Sequence, residues 1–107
     1  MLDCDSVYLT GYAFAHQPTD PATVIKIQQF LNKFMGDDLT ITGAYDAATL
    51  AAVSQFQLEY KQQILAPWVP YGLPNATTPT SNTYKTTQRW INILACPGLN
   101  LPLPKLP

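Results

Sequence analysis

The sequence predicts an all-α fold, a compact bundle of three principal helices. Three observations carry the prediction. Apolar residues recur at helical spacing in three separate segments, each with a recognisable start or stop signal. Proline and glycine collect between these segments and after the last of them. The chain has 107 residues, one domain's worth, enough to bury roughly two-thirds of its unfolded surface in a single core.

Residues 1–18 read as an ordered N-terminal arm with one helical turn; Tyr8, Tyr12 and Phe14 hold no single period. The first helix opens at Thr19-Asp20-Pro21. Asp20 is suited to cap free N–H groups, and Pro21 to the first helical position, where its missing N–H costs nothing. Val24, Ile27, Leu31, Phe34 and Met35 give the buried stripe, and Gly36 stands where a left-handed terminator belongs, so the helix is expected over 21–35. Leu39 to Gly43 reads as an extended loop pinned by Leu39 and Ile41. Asp46 is the expected cap of a second helix whose stripe is Leu50, Val53, Phe56 and Tyr60, ending near Tyr60. From Pro67 to Pro79 four prolines, Gly72 and Asn75 argue against regular structure. A third helix follows over Lys85–Ala95, with Thr87, Trp90, Ile91 and Leu94 on one face and Pro97-Gly98 as its stop. The helical core thus spans 19–96 within a module of residues 1–98, and residues 99–107 form a Leu/Pro tail or linker of polyproline II type. An internal repeat at an offset of 38 aligns Thr49, Val53 and Phe56 with Thr87, Ile91 and Leu94.

Charge excludes several functions. Six Lys and Arg and seven Asp and Glu make 12% of the chain, about half the usual share. Nucleic acid needs a dense basic face, and anionic membrane a polybasic patch; six scattered cations supply neither. No run approaches the ~20 apolar residues of a membrane span, and no basic-then-apolar leader opens the chain. At 47% hydrophobic and 11% aromatic the sequence is not a disordered tail. Its surface must be built from Thr, Gln, Asn, Ser and Pro, which suits an extracellular setting, sugar contacts or packing against other subunits.

Catalysis is not expected, and neither is a cofactor or metal. His16 is the sole histidine and has no identifiable orienting partner; it reads as an exposed loop residue. Asp37-Asp38 lacks the further ligands of a calcium loop. Cys4 and Cys96 make a poor metal site. They read as a disulfide in an oxidising compartment, closing a loop of about 90 residues for ~4–5 kcal/mol in the chain-entropy model; buried free thiols are the alternative. Asn75-Ala76-Thr77 is a formal glycosylation acceptor. The candidates for ligand contact are aromatic and polar. Trp68, Tyr71 and Tyr84 offer faces for the C–H side of a sugar ring, with polar handles; anchoring the Pro-rich loop is their structural alternative. Trp90 lies on a helical stripe and reads as core. Lys85 and Arg89, one turn apart, could meet carboxylates or simply be solvated. Asp46 is a helix cap that also borders a polar turn.

Two stretches carry a family resemblance. Val24-Ile25-Lys26-Ile27-Gln28-Gln29-Phe30-Leu31, followed by Ile41-Thr42-Gly43-Ala44-Tyr45-Asp46 and Thr49 with Ala52-Val53 and Phe56-Gln57, resembles the peptidoglycan-binding domain family of three-helix cell-wall modules. The resemblance covers about residues 22–96, and the offset of 38 fits a family built from two such half-motifs. In the second half-motif Ser81-Asn82 stands where the family has glycine. Phe56 to Lys61, Ile64 to Trp68, Tyr84 to Thr87 and the helix ending in Cys96 look like a variant found in large bacterial surface proteins, where such modules are strung on linkers. The resemblance implies non-catalytic binding of peptidoglycan or a related cell-wall glycan, anchoring a larger secreted or surface protein, at the cell surface or cell wall. Its implied site is a shallow groove using Trp68, Tyr71, Tyr84, Lys85, Arg89 and Asp46. The alternative expectation is a structural subunit of a surface assembly that packs against copies of itself or neighbouring domains. A large apolar interface between copies would distinguish it.

Overall fold

The computed structural model describes residues 6–106, and four α-helices and no strand are found among them. Helix α1 spans Pro21–Phe34, α2 Ala47–Glu59, the single turn α3 Lys61–Ile64, and α4 Lys85–Ala95. The expected cap residues act as caps. A side-chain oxygen of Asp20 accepts from the N–H of Thr23 at 3.2 Å, and one of Asp46 from Thr49 at 3.0 Å. Gly36, at φ +71°, ends α1 in the left-handed region. The Cα radius of gyration, 13.0 Å, is that of one close-packed domain of this length. Phe30 and Phe56, both fully buried, meet edge to face at 5.4 Å in its centre.

The internal repeat is structural, and α2 belongs to both halves of it. In the first half, Gln28 on α1 is buried and its amide reaches the turn before α2. Nε2 donates to Thr42 Oγ1, the Ala44 carbonyl and Thr49 Oγ1, and Oε1 accepts from the N–H groups of Thr42 and Gly43. In the second, Gln57 on α2 does the same for the turn before α4. It donates to Thr80 Oγ1, the Asn82 carbonyl and Thr87 Oγ1, and accepts from Thr80 and Ser81. Each polar turn thus satisfies its inward backbone groups on one buried amide. Both turns need positive φ at their second residue, +75° at Gly43 and +62° at Ser81. Ser81 accepts the strained conformation while its hydroxyl meets that of Ser54 at 2.6 Å. Tyr45 ties the halves together: its hydroxyl donates to the Ser81 carbonyl at 2.7 Å and lies 3.0 Å from Thr83 Oγ1.

Four details differ from the sequence reading. The described part of the arm has no helical turn; it crosses α4 instead. Leu9 is buried there, its backbone bonded both ways to the Asn92 side chain, and Ala13 pairs with Thr83. Ile41 is 42% exposed, so it does not pin the loop; Asn32 does, donating to the Leu39 carbonyl and accepting from its N–H. The turn α3 continues α2, because the half-buried Tyr60 interrupts the helix for only one residue. The stretch read as irregular begins with a 3₁₀ helix, Ala66–Tyr71, which tolerates Pro67 near its start and Pro70 inside, and is closed by Gly72 at φ +113°. The short i→i+3 pattern has few N–H donors to lose, which is why proline did not forbid it.

Asp46 receives both the N–H and, at 2.6 Å, the hydroxyl of Thr49, and accepts from Thr42 Oγ1 at 3.2 Å. These bonds hold its carboxyl below the usual carboxylate range. Replacing it with alanine is expected to cost about 1 kcal/mol of stability, as for other lost caps. Chemical unfolding at neutral pH measures this. The effect should fade as pH falls through the carboxylate range and protonates the wild-type cap.

Candidate functional site

The second half-motif opens into a cleft of about 190 Å³ between the end of α2, α3, the 3₁₀ helix and the turn before α4. One wall is aromatic. Trp68 and Tyr84 are stacked, centroids 5.9 Å apart and planes 26° from parallel. Tyr71 meets Trp68 edge-on at 6.2 Å and is 53% exposed. On the other side Tyr84 packs against Tyr12 at 4.8 Å and Phe14 at 5.3 Å, both supplied by the arm. Local sequence explains the placement. The 3₁₀ helix carries Trp68 and Tyr71 on successive turns. The Trp68 indole N–H donates to Thr86 Oγ1 at 2.8 Å, and that hydroxyl donates to the Ile64 carbonyl at 2.7 Å. Trp68 is therefore held against the first turn of α4, beside Tyr84.

The rest of the lining is Ile64 and Leu65 with the polar residues Gln57, Thr80, Asn82 and Thr87. Gln57 is committed to the turn, as described above. Asn82 presents its Oδ1 to the N–H of Ala15 at 2.8 Å, and Thr80 Oγ1 accepts from Gln57 and from the N–H of Asn82. Among the described residues no acceptor takes the Asn82 side-chain N–H groups, the Thr80 hydroxyl hydrogen or the Tyr84 hydroxyl hydrogen. The cleft therefore pairs a stacking surface with uncommitted donors. That is the chemistry of a neutral, hydroxyl- and amide-rich ligand. Its volume lies below the ~300–1,000 Å³ of enclosed small-molecule sites, so it fits one ring or one substituent of a longer ligand.

The structure brings Trp68, Tyr71 and Tyr84 together and places Lys85 next to them, its ammonium 5.8 Å from the centroid of the Tyr84 ring. Lys85 and Arg89 face the C-terminal tail: Lys85 Nζ donates to the Lys105 carbonyl at 3.1 Å, and Arg89 donates to the carbonyl of Pro102. Asp46 sits in the other half-motif, at the start of α2, where its carboxylate bonds Thr42 and Thr49. It is the repeat counterpart of Tyr84, which precedes α4 without capping it. Trp90 packs between the core and Tyr60, at 6.0 Å from that ring, with its indole N–H buried and unbonded. Cys96 is buried, its sulfur 4.0 Å from the Ser6 carbonyl oxygen; Cys4, the expected disulfide partner, lies outside the described residues. No group of three His, Cys, Asp or Glu side chains suited to a metal ion is found among the described residues.

Sequence reasoning missed the polar lining and the arm's part in the aromatic wall. A signal for the lining was present. At an offset of 29, Val24, Ile27 and Gln28 align with Val53, Phe56 and Gln57, which marks the two glutamines as equivalent. Tyr12 and Phe14 carried no such mark, because the contact that brings them to Tyr84 is made across the chain through the Ala13–Thr83 pairing.

The family model described as "Putative peptidoglycan binding domain" matches residues 20–64. That segment holds α1, the first polar turn, α2 and α3, the whole of the first half-motif. No curated protein and no solved structure matches the chain.

Proposed function

We propose that the chain, which belongs over residues 20–64 to the peptidoglycan-binding domain family, binds cell-wall glycan without catalysis, at the cleft of its second half-motif. One observation carries the reading: the Trp68–Tyr84 stack lines the same cleft as the uncommitted donors of Thr80 and Asn82. A pyranose laid against Trp68 would bury its C–H face on the rings and turn its hydroxyl or acetamido oxygens to those donors. Tyr71 extends the aromatic surface toward a neighbouring sugar. Lys85 and Arg89 would serve a carboxylate only when the tail releases them, and Asp46 acts through the stability of α2.

Binding of this kind fits a module that holds a larger secreted or surface protein on the wall. Residues 1–98 form that module and 99–107 its tail. An extracellular setting agrees with the low charge and with a Cys4–Cys96 disulfide. No helix among the described residues is long and apolar enough to cross a membrane.

Co-sedimentation with purified insoluble peptidoglycan sacculi tests the function. Wild type is expected to pellet with the sacculi. Trp68→Ala should lower the apparent affinity at least tenfold, as befits a stacking residue. Asn82→Asp keeps the acceptor that Ala15 uses and removes the side-chain donor, so it should weaken binding several-fold with little change in melting temperature. Wild-type protein that stays in the supernatant at tens of micromolar would overturn the reading. Binding untouched by either substitution would move the site elsewhere.

A further inference from the structure

The tail folds back on the domain. Residues 100–106 have no helix or strand and no backbone hydrogen bonds among themselves beyond the turn at Asn100. They nevertheless lie over the face made by Gln62 and Gln63 of α3, Pro67 of the 3₁₀ helix and Thr86 of α4, with a groove of about 220 Å³ left open between tail and domain. Leu103, Pro104 and Leu106 line it from the tail side. Leu101, Pro104 and Leu106 are half-buried, while Pro102, Leu103 and Lys105 are exposed. Lys85 and Arg89, one helical turn apart on α4, hold it by its backbone, each donating to a tail carbonyl, Lys105 and Pro102.

This is recognition chemistry for one class of ligand. In a Leu-Pro-Leu-Pro segment every second residue lacks an N–H, so the segment offers carbonyl acceptors in excess and makes no sheet ladder. Two side-chain cations spaced along a helix, beside a shallow wall of glutamine stems and a proline, read that pattern of carbonyls and apolar steps. We propose that the face between α3 and α4 is a binding site for an extended proline-rich peptide, and that this chain partly covers it with its own residues 101–106. The connection is short: α4 ends at Ala95, and the 3₁₀ turn Pro97–Leu99 and Asn100, at φ +51°, reverse the chain onto this face. A tether of that length gives an effective concentration in the millimolar range or above. The tail thus competes with weak outside peptides for this face and for both cations.

The groove has a built-in reporter, because Thr86 lines it and also accepts the Trp68 indole N–H. The test uses the full chain and the synthetic peptide Leu-Pro-Leu-Pro-Lys-Leu-Pro, followed by the two indole N–H signals in proton–nitrogen NMR spectra. In the tail variant Pro104→Gly with Leu106→Ser the Trp68 signal should shift and the Trp90 signal should not. No residue after Leu99 belongs to the buried core or packs on it, so the variant is expected to stay folded, and the fixed Trp90 signal checks this. Added peptide should return the Trp68 signal toward its wild-type position with half-saturation below 1 mM, and wild type should ignore the peptide at that concentration. Replacing Arg89 with Gln in the tail variant should weaken the peptide at least threefold. A Trp68 signal unmoved by the tail substitutions, or a tail variant that fails to take up the peptide at 1 mM, would overturn the proposal. Equal uptake by wild type would overturn the self-occupation.

Discussion

Replacing Gln57 with methionine is expected to destabilise the domain by about 3–5 kcal/mol, read from the urea unfolding midpoint at unchanged slope. Methionine nearly conserves the volume and the stem, so the loss isolates the amide. Without it the N–H groups of Thr80 and Ser81 and the carbonyl of Asn82 lose the partner they share. A stranded buried polar group costs about 1–3 kcal/mol. The effect stays below the simple sum because Thr80 is exposed and its backbone regains water. Gln28→Met should cost a similar amount, since the first turn hangs on Gln28 by the same five bonds. Gln57→Glu separates the two roles of the amide. It keeps acceptors for the two N–H groups and gives up the donors to Thr80, Asn82 and Thr87, so its penalty should ease in acid, where the buried carboxyl is neutral. A loss under 1 kcal/mol in Gln57→Met would mean that the turn holds its shape by its own geometry.

These glutamines also show where sequence reading reached and where it stopped. The helices were legible because burial stamps its period on Val24, Ile27 and Leu31, on Val53 and Phe56, and on Thr87, Ile91 and Leu94, and because Asp20, Asp46 and Gly36 carry a local, chemical reason to sit at helix ends. Gln28 and Gln57 carry no local reason. Glutamine is usually a surface residue, and what buries these two is the backbone of a turn at least fourteen residues away. The aromatic side of the cleft was legible as a type, since the prolines around Trp68 and Tyr71 leave no α-helical stripe for them to join. Its shape was not, because Tyr84 is aimed by packing on Tyr12 and Phe14 from the other end of the chain. Lys85 and Arg89 were visible as a pair one turn apart. Their partners are tail carbonyls, and a main-chain carbonyl leaves no trace in the residue letters.

The half-motifs are not equivalent in chemistry, although their turns are built alike. The first spends its pre-helix position on Asp46, a cap, and its turn on Gly43, which carries no side chain. The second puts Tyr84 where the cap would be and Ser81 where the glycine would be, at the expense of an uncapped α4 and a strained backbone. The second turn thus gives up a cap and a glycine and carries an aromatic face beside the cleft in their place.

Stability should fall steeply in alkali through Tyr45, whose hydroxyl joins the two turns. Burial pushes its pKa up to about 12 from an ordinary 10.0, and the bonds to Thr83 offset this only in part. The folded state therefore keeps the phenolic proton over a range in which the unfolded chain has lost it. Below pH ~10 both states are protonated and Tyr45 adds no pH dependence. Between about pH 10 and 12 the domain should lose ~1.4 kcal/mol per pH unit, about 2–3 kcal/mol in all by pH ~12. Tyr8, also raised by burial, acts in the same direction. Urea unfolding at a series of pH values, with tyrosinate absorbance followed in parallel, measures both the slope and the proton count. Tyr45→Phe should be about 1–2 kcal/mol less stable at neutral pH, because it strands the Ser81 carbonyl, and should show a markedly flatter decline above pH ~10. The two curves are expected to meet between about pH 11 and 12 and to cross above that. An undiminished alkaline slope in Tyr45→Phe would place the titrating group elsewhere and remove Tyr45 as the proton-sensitive link between the half-motifs.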